Sequence, residues 1–554
     1  MGFGNYGHVM RPKSSSALRN TTFRRECALL PPIFLANICV FDINPMPLRL
    51  LDATPKMKGA FLAVFFSLFP FLSYCIELNT TNVLIEPQIV LQSPFTPPPH
   101  FRNINLVHII NLEKNFPRET INAVIENVAS SAQDEYYLPF TPEQMRAIGT
   151  LEVKNRDDLD KGALAVQVVK VNAEREVQFY RIKLPKPLAP NSQMTLGITY
   201  SYLSSLTPKP RTIPQAGNQF LEYEFSAIAY SSYTTSNQKT EVKFINSNVP
   251  DFTKIPRTND NTELPIKTGS KFIYGPFRNI QPETIKPVKV RYQFTKPLIH
   301  ISKLERDIEI SHWGGNIAFE ERYTLINRAA NLSKLFSRVE WASTVFYNPP
   351  TTAIKELKIP LRAGSLSPYF VDTIGNVSTS RFRTNKREAS LEIKPRYPVF
   401  GGWKYPFRIG WDADLKKYLR KLDASDGYVL NVPFMQGPKQ EEGSEYEIIE
   451  TRVILPEGSK NIKYSTMVPI VSANISLYKT YMDTVGRTTL TLTAVNVFDE
   501  QRDRELIVTY DYPHVAALRK PLVFFLGFLS LFVTAWTVGS IDINIRAKKN
   551  LGKL

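Results

Sequence analysis

The chain has 554 residues, 43% hydrophobic and 21% charged, with 41 prolines against 25 glycines, a balance that excludes wholesale disorder and a polytopic membrane protein and predicts about two to four domains. The formal charge of +17 invites a nucleic-acid partner, but it is dispersed, with eight Lys/Arg against three Asp/Glu in residues 1–58 and four against one in 542–554. No dense basic run interleaved with aromatics occurs between them, so the sequence predicts no nucleic-acid partner.

From the N-terminus, residues 1–56 mix basic residues with Pro31 and Pro32 without sustained periodicity, and read as a leader extension or the product of an upstream start codon. An apolar block from Gly59 to Leu72 follows Lys56 and Lys58 and ends near Ser73 and Cys75, the pattern of a secretory signal peptide over 57–75. With Pro70 inside it, the block is too short to span a bilayer. Cys27, Cys39 and Cys75 are the only cysteines, so a mature chain starting near Ile76 has no disulfide, thiolate metal site or thiol nucleophile.

Residues 76–514 are dominated by period-two alternation, which predicts a mainly β class of antiparallel, sandwich-like sheets. Tyr180, Ile182 and Leu184 alternate with Arg181 and Lys183, and Leu490 and Leu492 with Thr489, Thr491 and Thr493. Leu164–Val171, Thr195–Tyr202, Tyr446–Leu455 and Glu505–Tyr510 are further strands. Polar, proline-bearing stretches at 204–217 and 247–268 predict loops. Pro282, Pro287 and Pro297 precede a fresh strand-like run at Ile299, placing a boundary between luminal β domains 76–297 and 298–514. The clearest helix is Asp414–Leu422, with Leu415, Tyr418, Leu419 and Leu422 at helical spacing. No solenoid-period repeat is present.

Chemistry-bearing patterns are sparse. The six histidines, His8, His100, His108, His300, His312 and His514, show no metal-ligand spacing, and no nucleophile elbow, Walker loop or His-Glu-x-x-His occurs. His312 and Trp313 beside Gly314 and Gly315 predict a tight turn or bulge. Asp158 with Asp160 and Asp412 with Asp414 match the Asp-x-Asp of sugar-nucleotide transferases, but lack a strand–helix setting, so turn and cap chemistry explains them better. The expectation is no catalytic residue, no cofactor and no metal. Asn79, Asn331, Asn376 and Asn474 each head an N-glycosylation sequon. Pro521–Ile541 is an uncharged run long enough, at about 31 Å, to cross a bilayer. The span and its flanks cover 515–545, and Arg546, Lys548, Lys549 and Lys553 make 546–554 a cytosolic tail by the positive-inside rule. Gly527, Ser530, Thr534 and Thr537 line one side of the span as a candidate packing face for another helix.

Several stretches in one order resemble the ribophorin I family. They are Ser311, His312 and Trp313 with Gly314–Ile317, Glu320 and Glu321; Phe336–Arg338; Gly375–Ser380; Arg396, Tyr397, Pro398, Val399, Phe400, Gly401, Gly402 and Trp403; Leu455–Gly458; and Tyr510–Pro513. The resemblance extends over about residues 105–541. It implies two tandem luminal β-sandwich-like domains and one membrane anchor, in a non-catalytic subunit of the oligosaccharyltransferase complex of the endoplasmic reticulum. Its implied partners are the catalytic and accessory membrane subunits of that complex, the lipid bilayer and the nascent polypeptide. The catalytic subunit of that complex carries Trp-Trp-Asp-Tyr-Gly, whereas here only Trp411–Asp412 occurs, in another context. An independent glycosyltransferase or hydrolase, or an unrelated receptor of the same topology, are the competing readings.

Overall fold

A computed structural model describes residues 89–90 and 95–541, apart from 159–161, 165, 171–176, 257–262, 348, 423–426 and 481–482. The leader, the signal segment, all three cysteines, Asn79, Asp160 and the basic tail lie outside the described residues.

Strands form where the sequence alternates. In Gln178–Leu188, Ile182 and Leu184 are buried and Lys183 is exposed; in Arg487–Phe498, Leu490, Leu492 and Ala494 turn inward. The expected strands are present as Val166–Lys170, Gln193–Tyr202, Glu445–Glu457 and Glu505–Asp511, and one begins at Ile299. The fold is mainly β.

Two seven-stranded sheets dominate it. The first runs, in spatial order, Ile266–Thr268, Lys271–Ile280, Thr235–Phe244, Phe101–Leu112, Arg118–Asn127, Gln193–Tyr202, Ile148–Asn155; the second runs Ser472–Tyr478, Arg487–Phe498, Glu445–Glu457, Ile299–Ser311, Asn316–Asn327, Lys404–Asp414, Ser365–Asp372. Counting strands along the chain within each sheet gives the same order, 6-7-5-1-2-4-3, in both. In each the first two strands form an antiparallel hairpin, and the first runs parallel to the fifth. The four-stranded sheets facing them also correspond: Thr207–Pro208, Phe220–Ser226, Pro287–Gln293 and Asp251–Phe252 match Leu419–Lys421, Gly427–Pro433, Glu505–Asp511 and Lys460–Thr466. The described chain is thus a topological duplication. Its cores divide near the same point, with Leu298 in a core of the first half and Ile299 in that of the second, and Ala329 of the second half packs into the first half's core. Each fully buried aliphatic side chain there contributes roughly 1.5–3 kcal/mol.

Two expectations are corrected. Asp414–Leu422 is no helix: Asp414 caps a short 3-10 turn over Leu415–Lys417 by accepting from the Lys416 N–H at 3.0 Å, and Leu419–Lys421 pairs as a strand with Gly427–Pro433. Long-range pairing outweighs a weak local preference there. The loops at 204–217 and 247–268 hold short paired strands, among them Thr207–Pro208, Thr212–Ile213, Asp251–Phe252 and Ile266–Thr268. Within Gln281–Pro297, Pro287–Gln293 is a strand burying Val288, Val290 and Tyr292, with Pro287 tolerated as its first residue.

The halves meet closely. A Cβ on Gly149 would lie 1.8 Å from the Asn496 carbonyl oxygen, and Asn496 Nδ2 donates to the carbonyls of Arg146 and Ile148 at 2.7 and 3.0 Å. Buried Glu445 accepts from the Ser204 N–H at 2.9 Å and lies 2.9 Å from His300 Nδ1.

Candidate functional site

The family-like stretches converge on two places. The first is the base of the C-terminal helix, which runs from His514 to Gly539, beginning seven residues earlier than its apolar run. Pro513 sets the start, and Pro521 lies inside the helix. Proline has no N–H, so the carbonyl of Ala517, four residues back, loses its helical donor. The indole N–H of Trp313 supplies one at 2.9 Å. Trp313 stands in the hairpin turn between Ser311 and Asn316, where Gly315 takes φ +63°, so the expected tight turn is present and serves to aim the indole.

His312, in the same turn, lies 2.8 Å from Tyr510 Oη and makes ring contacts with Tyr428, Tyr510 and Tyr512. Burial lowers its pKa to about 4. Because the folded value is depressed, His312 is neutral at neutral pH, and its contribution is lost as pH falls from about 6.5 towards 4. Gly458 (φ +86°) lets Ala516 approach, as a Cβ there would stand 2.7 Å from the Ala516 Cβ. Lys520 reaches Asp483 at 2.7 Å and Glu457 at 3.7 Å. Glu457 also accepts from the N–H groups of Thr484, Val485 and Gly486. Burial pushes both carboxyls up, but these N–H groups and Lys520 hold Glu457 low, and Lys520 with the Thr480 hydroxyl and N–H holds Asp483 low. The grip on Lys520 is therefore complete at neutral pH and lost only as acid protonates them.

Beyond this base none of the helix is buried among the described residues, and Phe524, Phe525, Phe528, Phe532 and Trp536 are all exposed. Ser530, Thr534 and Thr537 hydroxyls donate to the carbonyls of Gly527, Ser530 and Thr534 at 2.7–2.8 Å, and a Cβ on Gly527 would meet nothing. Exchanging Trp313 for Phe removes one hydrogen bond, worth about 0.5–1.5 kcal/mol, from a joint with several others. The sandwich should melt almost unchanged, while distances between spin labels on the sandwich and on the helix should broaden. An unchanged distribution would show that Lys520 and Gly458 orient the helix unaided.

The second place is an open groove of about 820 Å³ lined by Phe336, Arg338, Trp341, Arg396, Tyr397, Pro398, Trp403 and Lys404. Trp403 packs edge-on against Phe336, Tyr397 and Phe400. Arg396 pairs with buried Asp372 and donates to the carbonyl of Asn376 at 2.9 Å. Gly401 is required by contact, since a Cβ there would stand 2.1 Å from the Ala330 carbonyl oxygen; Gly402 has φ +79°.

Other candidates are scattered. Asp412 lies within a central strand, Asp414 caps the 3-10 turn, and Asp158 is in a loop of the first half. Asn331, Asn376 and Asn474 are all exposed. Trp411 is core, stacked on Phe319. Sequence reading missed the buried pairs His108–Glu119 and His300–Glu445 and the Lys520–Asp483 clamp, whose partners lie 11, 145 and 37 residues apart and are joined only by strand pairing or tertiary contact. Among the described residues no group of three or more His, Cys, Asp or Glu is placed to hold a metal.

The ribophorin I family model matches residues 101–539, from the first long strand to the last turn of the helix. The chain belongs to the ribophorin I family. It is similar to dolichyl-diphosphooligosaccharide–protein glycosyltransferase subunit 1A of Arabidopsis thaliana, at 30% identity over 80% of this chain and 71% of the relative. Subunit 1B of that plant is 29% identical over 82% of this chain and 96% of its own length, and subunit 1 of Caenorhabditis elegans 30% identical over 76% and 69%. Among solved structures, an M1 zinc metallopeptidase from Deinococcus radiodurans aligns with 38% of this chain and 42% of its own at 10% identity, with a TM-score of 0.23, too slight a likeness to argue from.

Proposed function

We propose that this chain is a non-catalytic, structural and binding subunit of the oligosaccharyltransferase complex, which transfers a preassembled glycan from dolichyl diphosphate to asparagine of Asn-x-Ser/Thr in nascent polypeptides. The observation that carries the reading is membership of the ribophorin I family over the whole double sandwich and the helix. The bulk of the chain lies in the lumen of the endoplasmic reticulum as two tandem domains, 76–297 and 298–514, with the helix in the membrane and 546–554 in the cytosol. The bonds of glycan transfer are broken and made in another subunit. Asn79, Asn331, Asn376 and Asn474 are glycan acceptors on this chain, and the exposure of the last three supports that.

Purification in mild detergent should bring down the catalytic and accessory membrane subunits together with glycan-transfer activity. Recovery of this chain without them would favour an independent enzyme or receptor. The helix makes a second contribution by packing on partner helices through Gly527, Ser530, Thr534 and Thr537. Lipid gives no hydrophobic drive to helix association, so close contact and hydrogen bonds of about 0.6–2 kcal/mol each must supply it. Gly527→Leu with Ser530→Ile should insert normally and lose partners in co-purification. Equal bulk at Leu529 and Val533, as Phe, should keep them. Equal recovery from both variants would leave assembly to the luminal domains.

A further inference from the structure

We propose that the aromatic groove is the seat of this chain's own N-linked glycan, carried on Asn331, so that the sugar is a fixed part of the second sandwich. The inference rests on Asn331 being used as an acceptor. Asn331 lies on a two-residue strand: its N–H donates to the Arg211 carbonyl at 2.9 Å and the Ser333 N–H to that of Ile213 at 2.8 Å along one edge, and Asn331 bridges to Gly401 as well. The sequon tripeptide is thereby extended and pinned, and the direction in which a sugar leaves it is restricted. Asn331 itself walls a shallow cavity of about 360 Å³, together with Phe336, Gly402 and Trp403. Phe336 and Trp403 are also walls of the large groove, so the two spaces adjoin along these rings. A Cβ on Gly402 would stand 2.4 Å from Asn331 Oδ1, so the glycine keeps the amide's path open.

The chemistry of the walls suits a saccharide. Pyranose rings present faces of C–H bonds with slight positive charge, which stack on the negative faces of aromatic rings. Phe336, Trp341, Tyr397 and Trp403 offer such surfaces, all of them partly exposed. Arg338, Arg396 and Lys404 at the rim donate hydrogen bonds, which hydroxyl and acetamide oxygens accept. A tethered sugar also has an effective concentration of order millimolar at the groove, so a free carbohydrate or a passing peptide must compete with it. Asn474 differs in every respect: it lies on the outer edge strand Ser472–Tyr478 and lines neither space.

The test uses the full chain made in a eukaryotic secretory pathway and purified in detergent, with site-resolved mass spectrometry during native digestion by peptide-N-glycosidase. The Asn474 glycan should leave first and the Asn331 glycan about tenfold more slowly, with the difference abolished on unfolding. Ser333 is exposed, so Ser333→Ala removes the glycan without disturbing the walls. Hydroxyl-radical labelling of Trp403 and Tyr397 should then rise several-fold over the glycosylated chain. An unmodified Asn331, equal release at both sites, or unchanged labelling overturns the proposal; labelling that stays low only within the assembled complex assigns the groove to an outside ligand instead. None of these readouts measures subunit assembly or glycan transfer, so their failure is separate from that of the subunit reading.

Discussion

Exchanging Glu321 for Ala should destabilise the second sandwich by about 3–5 kcal/mol, the cost of leaving its buried partner Arg306 without a counter-charge. The two residues face each other across the Ile299–Ser311/Asn316–Asn327 hairpin, and both side chains are wholly buried. Arg306 donates through Nη1 to Glu321, which also accepts from Tyr323 Oη and from the Gln436 N–H. The guanidinium lies over the rings of Phe319 and Trp411, 5.2 and 5.8 Å from their centroids. Among the described residues Nε and Nη2 of Arg306 have no acceptor, so no second acceptor is in place to hold the guanidinium once Glu321 is gone. A buried ion pair is weak support for stability as such, since an apolar pair of similar volume often replaces it without loss. Arg306→Met with Glu321→Leu should therefore recover most of what Glu321→Ala loses. Urea unfolding followed through the fluorescence of core Trp411 measures all three. A double variant as unstable as the single one would show that the pair does more than neutralise itself.

How much of this was legible depended on how local each determinant is. Half-buried strands write their register into alternate residues, so Tyr180–Leu184 and Thr489–Thr493 could be read directly. Leu415, Tyr418, Leu419 and Leu422 match a helix by spacing, yet the chain turns at Lys417 because Gly427–Pro433 offers a strand to pair with. The duplication left no visible repeat, since topology is fixed by which strands pair and not by which residues fill them. The role of Trp313 was also hidden. Its partner carbonyl at Ala517 is freed by Pro521, and the two elements are 204 residues apart. The groove was half legible: Arg396–Trp403 stood out as a family-like stretch, but nothing local announced that Phe336 and Trp341 would meet it.

The base of the helix shows why those hidden contacts matter. Trp313, Gly458 and the Asp483 clamp on Lys520 hold one face of the helix at Ala517, Ala516 and Lys520, while the turns beyond are unburied among the described residues. A joint of this kind ties the orientation of the helix to that of the sandwich.

The double glycine at 401 and 402 gives the second large effect, with an order that geometry fixes in advance. A Cβ at Gly401 would sit 2.1 Å from the Ala330 oxygen and 2.3 Å from that of Ala329. Neither carbonyl is free to retreat. The Ala329 N–H is held by Asn327 Oδ1 at 3.0 Å, and the Ala330 N–H by Oε1 of buried Gln219, from the first half, at 2.7 Å. Asn327 in turn donates to the carbonyls of Thr352 and Val399 and accepts the Gly402 N–H on its own carbonyl at 2.7 Å. Gly401→Ala must therefore push apart the seam where the halves join, and should cost about 3 kcal/mol, the upper end of the usual range for overpacking. Gly402→Ala meets only the movable side chain of Asn331, and its cost is the left-handed backbone, about 1–2 kcal/mol. Gly527→Ala, with nothing within 4 Å, is the control and should leave the sandwich unchanged. Thermal unfolding of the three variants ranks them, and a Gly402 variant less stable than the Gly401 one would mean that backbone conformation, rather than close approach across the seam, is what the pair supplies.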